Sequence, residues 1–90
     1  MNTEKEEDGD TLVRRLRGGP IYTYRLLYDP HGYPSVEVTA QDMHGVRIEK
    51  SGLFPRDGRL ARQFLLLAAR CAVSPYTLVE VYDEFLARYL

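Results

Sequence analysis

Ninety residues make one small domain, and 12 basic against 13 acidic side chains leave a formal net charge of -1, so no bulk positive field draws it to nucleic acid. No run of about 18 apolar residues occurs, which excludes a membrane-spanning helix. The acidic start lacks the basic and apolar regions of a signal peptide. The single cysteine, Cys71, excludes an internal disulfide and makes a cytoplasmic protein the expectation.

In chain order, residues 1–20 read as a charged tail. Positions 1–10 hold Glu4, Glu6, Glu7, Asp8 and Asp10 against Lys5, a net -4; positions 11–20 hold Arg14, Arg15 and Arg17 with no acid, a net +3. Such a segment buries too little apolar surface to offset its ordering entropy, and disorder is expected. Gly18-Gly19-Pro20 marks a hinge. The domain proper is then residues 21–90, only marginally able to bury its own core.

From Ile21 the hydrophobic period is two. Tyr22, Tyr24, Leu26 and Tyr28 alternate with Thr23, Arg25 and Leu27. Val36, Val38 and Ala40 alternate with Glu37, Thr39 and Gln41, and Val46 and Ile48 with Arg47 and Glu49. Three half-buried strands follow. Between them the same pattern occurs twice, as Asp29-Pro30-His31-Gly32 and Asp42-Met43-His44-Gly45. Each suits a three-residue hairpin loop that ends in a left-handed glycine. The first loop pairs Leu26 with Val36, Tyr24 with Val38 and Tyr22 with Ala40. The second pairs Asp42 with Val46 and Ala40 with Ile48. Both registers gather apolar side chains on one face and leave Thr23, Arg25, Glu37, Thr39, Gln41, Arg47 and Glu49 on a solvated one.

Ser51-Gly52 closes the third strand, and Leu53-Phe54-Pro55 is a connector. Asp57 is placed to cap a helix with the stripe Leu60, Ala61, Phe64, Leu67, Ala68 and Cys71. Ser74-Pro75 opens a second helix, with the stripe Leu78, Val81, Tyr82, Phe85 and Tyr89. The expected fold is α+β: a three-stranded antiparallel β-meander with two C-terminal helices packed on one face, βββαα.

Catalytic chemistry finds no support. Consecutive meander loops lie at opposite ends of the middle strand, roughly 30 Å apart at about 3.3 Å per residue. His31 and His44, the only histidines, therefore cannot share a metal ion or work as a pair. Cys71, on the apolar stripe, reads as a buried structural thiol. Ser74 is used as a cap, and the acids Glu80, Asp83 and Glu84 have no cleft to shift their pKa values. The expectation is a protein that is not an enzyme, with no catalytic residue, cofactor or metal.

Two surfaces remain. Arg59, Arg62 and Arg70 align on one side of the first helix, with Arg56 just before it, and with the Arg14–Arg17 tail they make a candidate nucleic-acid footprint. Gly58-Arg59-Leu60-Ala61-Arg62 is similar to the basic helix start of the double-stranded RNA-binding domain, although that module's lysine-rich run is missing and a second helix follows. The other surface is apolar. Phe64-Leu65-Leu66-Leu67-Ala68-Ala69 has almost no polar side, and helices of that kind are buried on more than one side. Leu65, Leu66, Val79 and Leu86 are left over and form a candidate interface for a protein partner or a second copy.

Ser74-Pro75, Leu78, Val81 and Phe85-Leu86, preceded by Tyr24-Arg25-Leu26-Leu27 and Val46-Arg47-Ile48-Glu49, resemble a family of small uncharacterised bacterial proteins, a domain of unknown function, over residues 21–90. Thr77 departs from the histidine expected there. The resemblance implies a compact β-then-α domain and brings no activity or site. The sequence alone thus favours a small cytoplasmic interaction or regulatory protein, with a homodimer as one form. The alternative is a nucleic-acid-binding accessory protein, and a small-molecule binder lined by Tyr22, Tyr24 and Tyr28 is a third class.

Overall fold

The structure, a computed structural model, describes residues 11–89 and the backbone of residues 2–5. The elements are β1 (Asn2–Lys5), β2 (Thr11–Arg15), β3 (Ile21–Tyr28), β4 (Pro34–Asp42), β5 (Gly45–Lys50), α1 (Arg59–Arg70) and α2 (Leu78–Tyr89). The strands form one antiparallel sheet in sequential order. Both helices lie on one face: α1 crosses β2, β3 and β4, and α2 lies beside α1 and reaches β5. The α+β class and the two helices agree with the sequence.

The β3–β4 hairpin has the expected register, with Leu26 opposite Val36, Tyr24 opposite Val38 and Tyr22 opposite Ala40. The Asp29 carboxylate holds the loop by accepting from the His31 and Tyr33 N–H groups at 2.9 and 2.8 Å. Gly32, at φ 86°, takes the left-handed position that a β-carbon disfavours.

The β4–β5 hairpin does not follow the expected register. Its loop has two residues, Met43 and His44, and Asp42 faces Gly45. Ala40 is then opposite Arg47, and Thr39 is opposite Ile48. A one-residue shift moves every side chain of β5 to the other face. Val46 and Ile48 stand on the sheet face that no helix covers, and Arg47 and Glu49 turn to the helical side. Gly45, at φ 134°, is too extended for the left-handed place that Gly32 fills, and so pairs as a strand residue.

The disordered tail expected over residues 1–20 does not hold for Thr11–Arg15, which form β2. Thr11, Leu12 and Val13 are buried, the last two only 6% exposed. Leu12, opposite Tyr24, widens the inner face of the sheet. Arg14, opposite Tyr22, donates to the Ala69 carbonyl at 2.7 Å and to the Arg70 carbonyl. The guanidinium thus sits at the negative end of α1 and ties β2 to it. The domain begins no later than Thr11. The acids Glu6, Glu7, Asp8 and Asp10 lie outside the described residues.

The N-cap of α1 is Gly58, at φ 77° and with no side-chain cap, rather than the expected Asp57. Asp57 lies one residue earlier and accepts from the Arg59 N–H at 3.0 Å, closing the turn that leads into the helix. The helix ends in a Schellman motif: Val73 N–H reaches the Ala68 carbonyl and Ala72 N–H the Ala69 carbonyl, with Ala72 at φ 53°. The second helix starts at Leu78, later than expected, because Ser74–Thr77 forms a turn closed by Thr77 N–H on the Ser74 carbonyl. The core gathers Leu12, Tyr24, Leu26, Val36 and Val38 from the sheet, Ala61, Phe64, Leu65, Ala68 and Ala69 from α1, and Phe54, Val73, Leu78 and Phe85. Phe54, Phe64, Tyr82 and Phe85 pack as a ring cluster at centroid distances of 5.1 to 6.1 Å.

Candidate interaction surface

The four helical residues expected to form an interface are not brought together as one exposed patch. Leu65 is 3% exposed, because β2 widens the sheet beneath α1 and the side chain joins the core. Leu86 is half-buried against the same core. Only Leu66 and Val79 stay open, at 53% and 47%. By helical spacing Leu66 stands among Arg59, Arg62, Gln63 and Arg70, all exposed.

The basic residues divide. Arg59, Arg62 and Arg70 share the outer side of α1, and Arg56 lies over the Tyr33 ring at 5.4 Å. Arg14 is turned inward to the end of α1. Arg15, opposite Ile21, belongs to the uncovered face of the sheet. A single phosphate-binding track through all of them is not formed.

His31 and His44 are exposed at the two ends of β4. Among the described residues, no group of three or more His, Cys, Asp or Glu side chains converges as a metal site. Cys71 is exposed, contrary to the expectation of a buried thiol. It is the C-cap of α1, where the chain leaves helical geometry and carries the side chain off the buried stripe.

The three tyrosines of β3 line no common cavity. Tyr24 is sealed in the core, and its hydroxyl donates to the Val73 carbonyl at 2.9 Å. Burial, and secondarily the neighbouring Tyr22, push its pKa well above the ordinary tyrosine value. Tyr28 is exposed at the far end. Tyr22 borders a shallow cleft of about 330 Å³ with Asp42, His44, Arg47 and Tyr76. Comparison with known protein families, curated proteins and solved structures finds no match.

The surface that sequence reasoning missed is on β5. Val46 and Ile48 are 59% and 57% exposed on the uncovered face, and Met43 projects from the adjoining loop. Beside them the same face carries Ile21, Thr23, Thr39 and Gln41. β5 ends the strand order, so among the described residues only one of its sides is paired. On the helical side the Arg47 guanidinium lies 4.3 Å from the Tyr76 ring centroid, a cation–π contact that holds this side chain beside the edge. The signal in the sequence was the second turn itself: Met43 stands where the first turn has proline, and without that constraint a two-residue loop competes.

Proposed function

We propose that this protein is a small, non-enzymatic protein-interaction domain of the bacterial cytoplasm that works through β5 and the uncovered sheet face. The observation behind this reading is the pair Val46 and Ile48, exposed on an edge strand. Edge strands with open apolar side chains are templates for pairing with another chain, and natural proteins usually blunt them. The exposed histidines at opposite ends of β4 favour a binding role over catalysis. A photo-crosslinking amino acid at position 48 of the full chain should give adducts with a protein, while the same group at Leu66 should not. Adducts at position 66 with none at position 48 would overturn the assignment.

The second reading is a nucleic-acid-binding accessory protein using Arg56, Arg59, Arg62 and Arg70, supported by the exposed arginine side of α1. Phosphate binding must weaken steeply with salt. A retardation assay at two salt concentrations should show no salt-sensitive complex if the first reading holds.

A further inference from the structure

The occupant of the β5 edge can be read from the strand itself, on the basis of the interaction reading above. Ser51 N–H donates to the Val36 carbonyl at 2.8 Å, which places Ser51 on the side of the chain that faces β4. Backbone groups alternate in an antiparallel ladder, so Arg47 and Glu49 also face β4, and Val46, Ile48 and Lys50 turn their N–H and C=O groups to the open edge. Consistently, Lys50 N–H meets the neighbouring Glu49 carboxylate at 3.4 Å rather than a strand. The edge has no proline; the charges on it that could discourage pairing are Lys50 at its end and Arg47 and Glu49 on the helical side, and in the register below these face opposite charge or an aliphatic neighbour.

We propose that β5 pairs antiparallel with β5 of a second copy about a two-fold axis at Ile48, joining two five-stranded sheets into one. In that register Ile48 faces the partner's Ile48, Val46 faces the partner's Lys50, and Arg47 faces the partner's Glu49. The three edge-facing residues, Val46, Ile48 and Lys50, then make three facing pairs, each exchanging two N–H···O=C bonds. Ile48 meets its copy on the uncovered face, and the aliphatic stem of Lys50 covers Val46. On the helical face two opposite-charge pairs form, with Arg47 already held beside the edge by Tyr76. The neighbouring symmetric registers do worse. A shift of the axis to position 47 sets Arg47 against Arg47, and a shift to position 49 sets Glu49 against Glu49, each a like-charge pair directly across strands. The strand is thus self-complementary in one register, as an isologous interface requires.

Sedimentation equilibrium of the full chain up to about 1 mM tests this, with affinity read as a dissociation constant. The wild type should reach twice the monomer mass. Arg47→Glu and Glu49→Arg should each weaken the dimer roughly tenfold or more, since each sets like charges opposite one another at two places. Mixing the two variants should restore association, because the introduced charges then face opposite ones. Ile48→Lys, at an exposed position that spares the fold, should also give monomers. A wild type that stays monomeric, or a dimer that none of these substitutions weakens, overturns the proposal. A monomer whose position-48 crosslinker still captures another protein removes the second copy as partner and leaves the interaction reading standing.

Discussion

Replacing Tyr24 with phenylalanine removes one buried hydroxyl and nothing else. The ring is fully buried, and its hydroxyl is the donor to the Val73 carbonyl, itself in a residue only 7% exposed. The loss has two parts, the net value of the hydrogen bond and the stranding of a buried acceptor, together about 1–3 kcal/mol. In a domain of this size that lowers the melting temperature by roughly 4–24 °C. The pH dependence adds a sharper test. Burial raises the folded-state pKa of Tyr24 above its unfolded value near 10. Above that pH the unfolded chain loses the proton while the folded chain keeps it. The unfolded state then binds fewer protons, and stability falls by up to about 1.4 kcal/mol per pH unit. Tyr24→Phe has no such group to lose. Its deficit relative to wild type should therefore be full at pH 7 to 9 and shrink as pH rises past about 10. Tyr82, whose pKa is raised by burial and by Asp83, contributes equally to both proteins and cancels. Urea unfolding followed by circular dichroism at pH 7, 9 and about 10.5 measures the gap. Equal stability at pH 7, or a gap that stays constant into the alkaline range, would refute the buried hydrogen bond.

Three further substitutions probe the parts that hold the layers together. Arg14→Met keeps the stem and removes the guanidinium from the Ala69 and Arg70 carbonyls; a loss of about 1–2 kcal/mol is expected, with faster amide exchange in β2. In Gly52→Ala the new β-carbon would lie 2.6 Å from the Tyr82 hydroxyl and 2.8 Å from its ring. That ring is tied to the Leu53 carbonyl and packed on Phe54 and Phe64, so thermal unfolding should show a loss of about 1–3 kcal/mol. Ala72→Gly relieves the left-handed backbone at the end of α1 and should raise stability by about 0.5–1 kcal/mol in the same assay.

Much of the fold was legible where local chemistry and hydrophobic period agreed. The Tyr22–Tyr28 and Val36–Ala40 alternations set the inner face, and the proline of the first turn allowed its loop length to be counted correctly. Asp57 announced the start of α1, although it closes the preceding turn and Gly58 is the N-cap. The strand Thr11–Arg15 was hidden because three arginines in seven residues outweigh Leu12 and Val13 by composition. What orders that segment is tertiary: a place beside β3 for Leu12, and a helix end for Arg14. Once β2 is present, Leu65 is no longer surplus, and the helical interface expected from the apolar run shrinks to Leu66 and Val79.

The face chosen by β5 is the case where two rules disagreed. Full burial of Val46 and Ile48 would stabilise by about 1.5–3 kcal/mol each, which favours the register that points them inward. That benefit exists only if the inner positions of β5 are core. They are not: what lies over Arg47 is Tyr76, which is itself 72% exposed. At the rim of the sheet the burial term is small, and the two-residue turn closed by Asp42, whose carboxylate accepts from His44 N–H at 2.8 Å, decides the register. A long amphipathic side chain suits a rim better than a branched one, since its stem covers an aromatic ring while its charge reaches water. The same shift leaves two branched apolar side chains on an open edge, where nothing inside the fold uses them. On the pairing proposed above they meet a second strand, and Arg47 and Glu49, two residues apart, are spaced to accept an identical one.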